Sequence, residues 1–186
     1  MKTIPAFFKL IRWANLVFIA LTQGLFYFCV YIPLANAPIV KQENLYLLCL
    51  LMAASVLIAA AGYIVNDYFD VQIDSVNKPN RIVIGKIIKR RWAIVLHWLL
   101  SGIGIILSFY ISYKTGLWSI SIINIACVFA LWVYSFVFKK KLLIGNIIIA
   151  ILTAWTILVI YIFVGANLVS LNGWNDQQNY FDLLNQ

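Results

Sequence analysis

Three of the chain's six acidic residues fall within eight positions, in the run Asn66-Asp67-Tyr68-Phe69-Asp70-Val71-Gln72-Ile73-Asp74. On a helix, spacings of three and seven residues put the carboxylates within about 60° of one another, stacked along one stripe over two turns. Three like charges on one face repel, so the stripe carries a small helical cost. A row of hard oxygen donors makes physical sense if it holds a hard divalent cation such as Mg²⁺, which takes a few carboxylates, waters and phosphate oxygens. The other reading is a solvated helix end whose acids pair with nearby lysines. The next residues, Asn77-Lys78-Pro79-Asn80-Arg81, add an amide, an ammonium and a guanidinium. Pro79 is expected to end the helix. Carboxylates for a metal, with Lys78 and Arg81 for phosphate oxygens, are the components of a diphosphate site.

The elements that must position this stripe are set by the solvent. Of 186 residues, 64% are hydrophobic and only 11% charged, and the mean hydropathy is +0.94. A water-soluble domain carries roughly a quarter charged residues, so soluble and disordered classes are excluded. Five long runs contain no charge and show no strand-like alternation. They predict an all-α transmembrane bundle with spans at about 14–35, 45–66, 92–113, 116–138 and 142–169. The aspartates continue the second span without a breaker. Twelve basic residues fall at one end of these spans: Lys2, Lys9 and Arg12, six from Lys78 to Arg91, and Lys139 to Lys141. Only Lys41 and Lys114 lie at the other end. This bias predicts that the N-terminus and the aspartate motif are cytoplasmic and the C-terminal tail is outside. The net charge of +8 thus reads as topology and attraction to anionic lipid. No soluble basic domain exists to bind nucleic acid.

The first apolar run is too long for a signal peptide and reads as a retained helix. Cys29, Cys49 and Cys127 lie inside spans without metal-ligand spacing and are expected to be inert core residues. His97, the one histidine, reads as a buried hydrogen-bonding group. Trp13, Trp92, Trp118 and Trp174 fit interfacial anchors, and Trp98, Trp132 and Trp155 should pack between helices. Tyr63, Tyr68 and Phe69 are expected to pack near the interface, with facing a cation as the second option.

The motif resembles that of the UbiA-type intramembrane prenyltransferases, whose first aspartate-rich element reads NDxxDxxxD at the end of helix 2. Here it is complete as Asn66, Asp67, Asp70 and Asp74, followed by Asn77-Lys78-Pro79 and Arg81. Tyr134-Ser135, Lys139 to Lys141 and Gly145-Asn146 are similar to the family's second loop, and Arg12 and Asn15 to its opening. The resemblance implies that Mg²⁺ links Asp67, Asp70 and Asp74 to a polyprenyl diphosphate whose tail lies among the helices. Diphosphate departs, an allylic cation develops, and an acceptor takes the prenyl group. Asn66, Lys78 and Arg81 would bind the diphosphate, Tyr134 would stabilise the cation, and Lys139 would contact phosphate. The pattern is most similar to the geranylgeranylglycerol-phosphate geranylgeranyltransferase branch.

Two departures stand out. Ile82 occupies the position where the family usually has Pro. A second aspartate-rich motif, expected near helix 6 of about nine, is missing, and Asp176 and Asp182 cannot replace it, being about 240° apart on a helix and at the opposite end. The segment Asn172 to Gln186 reads as the loop leading towards helix 6. The chain is therefore expected to be the N-terminal half of a longer membrane domain, with little activity without its other half. A bacterial inner membrane is the expected location. A phosphatidyltransferase reading is disfavoured, because Val71 follows Asp70 where that signature needs Gly. A non-catalytic membrane subunit or remnant, in which the stripe only pairs with basic residues, stays open.

Overall fold

The computed structural model describes residues 3–35, 42–77 and 82–184; Lys78 and Arg81 lie outside them. It is helical, as hydrocarbon requires of a backbone that must satisfy its own polar groups. A short helix, α1 (Thr3–Leu10), leads into α2 (Trp13–Leu25), which loosens into a π-helical turn (Phe26–Tyr31) before α3 (Ile32–Ala35). Then follow α4 (Gln42–Asn77), α5 (Arg90–Thr115), α6 (Trp118–Phe136), a 3₁₀ turn (Phe138–Lys140) and α7 (Leu142–Leu184). Among the described residues, five helices are long and apolar enough to cross a membrane, matching the five expected spans.

The length of α4 positions the aspartates. Its 36 residues extend about 54 Å at 1.5 Å each, well beyond a hydrocarbon layer of about 30 Å. The apolar stretch is used up near Val65, so Asn66 to Asn77 continue the same helix past the membrane edge. It is described as far as Asn77; Pro79, the expected stop, lies outside the described residues.

Packing against α5 holds α4 in place. The buried face of α5 comprises Ala93, His97, Ser101, Gly104, Ser108 and Ser112, at spacings of three and four, with Ile111 beside them. Small residues let two helical backbones approach closely in lipid. A Cβ on Gly104 would lie 2.9 Å from Ile58 Cγ1 and 3.3 Å from the Ala54 carbonyl oxygen. His97 Nδ1 donates to the Ala61 carbonyl at 3.0 Å, fulfilling the expected structural role. Between α5 and α6, Ser112 and Ser121 share a 2.6 Å hydrogen bond. From the π-helical turn after α2, Tyr31 donates to the Val164 carbonyl of α7 at 3.2 Å.

Several expectations are corrected. The last helix continues to Leu184, where a loop from Asn172 was expected; no proline interrupts that polar stretch, and polar residues alone do not stop a helix. Of the cysteines only Cys127 is buried, while Cys29 and Cys49 lie on the outer surface. Trp98 is likewise 62% exposed rather than packed between helices, because the buried face of α5 is taken by the small residues. Trp132, 38% exposed, does pack between helices, against Phe69 of α4, and Trp155 reaches the interior.

Gly104→Ala should lower stability by about 1–2 kcal/mol through overpacking against Ile58. Gly102→Ala on the same helix, where a Cβ meets nothing within 4 Å, should be neutral or stabilising. Thermal unfolding of the two variants in detergent checks the contrast.

Candidate functional site

The aspartate stripe faces cations delivered by two other elements. Arg12, the residue between α1 and α2, sits in the left-handed region at φ 53°, uncommon for a residue with a side chain. That kink directs its guanidinium at α4, where Nη2 donates to Asp67 Oδ1 at 2.8 Å. The guanidinium carbon also lies 4.9 Å from the Tyr63 ring centroid, within cation–π range. Asn15 Nδ2 donates to the Tyr63 hydroxyl at 3.3 Å.

From the α6–α7 connection, Lys139 Nζ donates to Asn66 Oδ1 at 2.9 Å and forms an ion pair with Asp70 Oδ2. Asn66 Nδ2 donates to the same Asp70 oxygen at 3.4 Å. The turn that carries Lys139 requires a glycine. A Cβ on Gly145 would come within 2.9 Å of the Phe138 carbonyl oxygen and 3.5 Å of the Tyr134 ring. The Gly-Asn element of the sequence pattern thus has a packing reason for its first residue.

Behind the stripe a cavity of about 480 Å³ opens between α2, α4, α6 and α7. Arg12, Asn66 and Tyr134 line its mouth, and Ser55, Asn124 and Trp155 line its depth. Asn66 and Ser55 are eleven residues apart on α4, so the cavity reaches about 16 Å along that helix. Its deep wall is polar and hydrogen-bonded across helices. Trp155 Nε1 donates to Asn124 Oδ1 at 2.8 Å, and Asn124 Nδ2 donates to Ser108 Oγ at 2.7 Å, joining α7, α6 and α5. Gln23 Nε2 donates to Ser55 Oγ at 3.1 Å and to the Thr156 carbonyl at 2.7 Å, joining α2, α4 and α7.

Among the expected site residues, the structure thus gathers Asn66, Asp67, Asp70, Tyr134 and Lys139 about one cavity mouth. Asp74 stands one turn further along α4, half-buried. Among the described residues no three carboxylate, imidazole or thiol side chains converge as a metal cluster. The available donor set, two aspartates beside an asparagine amide, suits Mg²⁺ completing its shell with water and phosphate oxygens. Tyr68 packs on the cluster formed by α1 and the start of α5, and Phe69 packs with Trp132 and Phe136. Only Tyr63 of those three aromatics lines the cavity.

Sequence reasoning left Arg12 as part of a loose pattern and did not single out Gln23, Ser55 or Asn124. The available signal was polarity inside apolar spans, which lipid tolerates only where side chains find partners.

The UbiA prenyltransferase family model matches residues 25–176. A digeranylgeranylglyceryl phosphate synthase of Sulfurisphaera tokodaii is 35% identical over 82% of this chain and 50% of its own length. One from Pyrococcus horikoshii is 36% identical over 62% of this chain and 39% of its own. A solved structure from work on digeranylgeranylglyceryl phosphate synthase in membranes aligns with a TM-score of 0.72 at 26% identity, over 88% of this chain and 54% of that one. The chain spans about half the length of the curated relatives it matches. These relatives are mainly archaeal and lend no support to a bacterial location.

Asn124→Leu should leave the Trp155 N–H and the Ser108 hydroxyl without their partner and cost about 1–2 kcal/mol, the range of interhelical hydrogen bonds in lipid. A lowered melting temperature in detergent, with Asn124→Gln less affected, is the expected result.

Proposed function

The chain belongs to the UbiA prenyltransferase family, and from that premise we propose that it forms the donor-binding part of a Mg²⁺-dependent enzyme. That enzyme transfers a prenyl group from a polyprenyl diphosphate to an acceptor within the membrane. One observation carries this reading: Asn66, Asp67 and Asp70 meet Arg12 and Lys139 at the mouth of a membrane-deep cavity. Positive and negative groups alternate there within hydrogen-bonding distance, as needed to hold a charged diphosphate head while its apolar tail enters the helices.

Mg²⁺ would neutralise charge gathering on the departing diphosphate. The chain's own residues have separate tasks. Asp67, Asp70 and Asp74 supply oxygen ligands, directly or through water. Arg12 and Lys139, with Lys78 and Arg81, supply donors to diphosphate oxygens. Asn66 orients Asp70 and Lys139. The ring of Tyr134, at the mouth, faces the position where the allylic carbon acquires positive charge. The acceptor we assign is a glycerophosphate lipid, supported by the names of the relatives at 35% identity.

The assignment concerns the complete protein. We place this chain as the N-terminal part of a nine-helix domain, with the second set of carboxylates contributed by the polypeptide that corresponds to the remainder of the relatives' length. The basic end of the bundle, with the aspartates, faces the cytoplasm of a cell membrane.

A second reading has an observation in its favour. Asp67 and Asp70 already have cationic partners, as expected of a non-catalytic subunit whose stripe fastens α4 to α2 and α7. Binding of radiolabelled geranylgeranyl diphosphate to the purified chain, with and without Mg²⁺, separates the two. Prenyltransfer chemistry predicts Mg²⁺-dependent retention, weakened at least about tenfold by Asp70→Ala, as for loss of a charge-assisted contact. Lys139→Gln should weaken it less. Absence of metal-dependent retention, including after addition of the C-terminal half, would leave the structural reading standing.

A further inference from the structure

A second cavity, of about 500 Å³, lies at the aspartate-bearing end of the bundle and shares no residue with the first. Its walls are Ile4 and Phe7 of α1, Ile87 and Lys89 of the α4–α5 connection, and Trp92 and Leu96 of α5.

The groove is built on ordered backbone. Residues 83–88 form a tight turn, with Gly85 at φ 92°, in which Gly85 N–H donates to the Ile88 carbonyl at 2.7 Å and Ile87 N–H to the Val83 carbonyl at 2.9 Å. Val83, Ile84 and Ile88 are buried with Ala6, Leu10 and Ala93, anchoring the turn to α1 and α5. What stays outside is mostly apolar: Ile4 is 71% exposed, Ile87 45% and Trp92 57%. Two features place the groove at the membrane interface, an exposed tryptophan at the start of a spanning helix and a short helix with apolar residues facing outward.

The charge on its own segments has one sign. The two segments that build it, residues 3–12 and 82–96, contain Lys9, Arg12, Lys86, Lys89, Arg90 and Arg91 and no acidic residue. Arg12 is directed to Asp67, but Lys89 lines the groove itself and Arg90 and Arg91 follow it on the first turn of α5. Positive side chains at a helix N-terminus oppose the helix dipole, so without an anion nearby this arrangement is unfavourable.

We propose that this groove binds one anionic phospholipid of the surrounding bilayer, with an acyl or isoprenoid chain between α1 and α5 and its phosphate at Lys89 and Arg90. The site shares no lining residue with the prenyl-diphosphate cavity, and its test does not depend on the function proposed for that cavity. It fastens α1, and through it Arg12, to the membrane surface.

The test uses the full 186-residue chain in a neutral detergent, mixed with equal amounts of phosphatidylglycerol and phosphatidylcholine of matched chains. Bound lipids are counted by native mass spectrometry. The expected result is that the most tightly retained lipid is phosphatidylglycerol, preferred by about tenfold, the scale for one or two basic side chains at an anionic headgroup. Lys89→Glu combined with Arg90→Gln should bring the preference close to one, and so should Ile87→Asp, an exposed position where a carboxylate is tolerated by the fold. Lys114→Gln, which removes a charge at the opposite end, should leave the preference intact. Equal retention of the two lipids by the unmodified chain overturns the proposal. So does a preference that survives both groove variants, or one that Lys114→Gln abolishes equally.

Discussion

A carboxylate at the edge of a hydrocarbon layer is costly unless positive charge or strong donors face it, and α4 carries three of them in succession. The rest of the architecture is arranged around that requirement. The left-handed kink at Arg12 brings one guanidinium to Asp67, and the 3₁₀ turn after α6 brings one ammonium to Asp70 and Asn66. The first contact ties α4 to Arg12, which lines the cavity, and the second ties it to the turn joining α6 and α7, two helices that line it. The two contacts therefore fall where α2 begins and where α6 hands over to α7.

Within the bilayer the same logic applies to uncharged groups. Hydrophobic burial provides little force between helices there, because lipid tails are as apolar as leucine. Association rests on close packing, as at Gly104, and on hydrogen bonds such as Trp155 to Asn124 and Gln23 to Ser55. Those bonds converge on the depth of the cavity, so the groups that assemble the bundle also shape its lining. Among the described residues, Gln23 Oε1 is buried with no partner, a local cost that the surrounding bonds offset.

The class of fold and the family motif were legible in the sequence because they rest on one-dimensional signals. The spans follow from uncharged length, and the motif follows from Asn66, Asp67, Asp70 and Asp74 at helical spacing on a helix with no breaker before Pro79. What the sequence could not supply was direction in space. Nothing in the order of residues says that Arg12 takes a left-handed conformation, since that depends on α1 folding back against Tyr68 and Val71. Trp98 reads as interior by its depth along α5, yet the small residues beside it occupy the packed face and turn it outward. The polar stretch after Asn172 reads as a loop because composition registers polarity, while helix continuation depends on the absence of a breaker.

The exposure of the two ion pairs bears on what they are for. The Arg12 and Asp67 side chains are 43% and 28% exposed, and those of Lys139 and Asp70 are 33% and 17% exposed. Pairs this open to solvent contribute about 1 kcal/mol or less. Coupling so weak cannot be the main fastening of α4, which is held far more firmly along α5 by Gly104, His97 and the small residues between them. Permanent struts would be expected in dry, fully bonded surroundings, where removing a partner costs several times more. Open pairs are instead easily exchanged. A divalent ion and a diphosphate entering together would offer each aspartate a stronger cation and each basic side chain a stronger anion, at little cost in the contacts given up. The weakness of these pairs therefore favours a site prepared for an incoming charged ligand over a purely structural clasp.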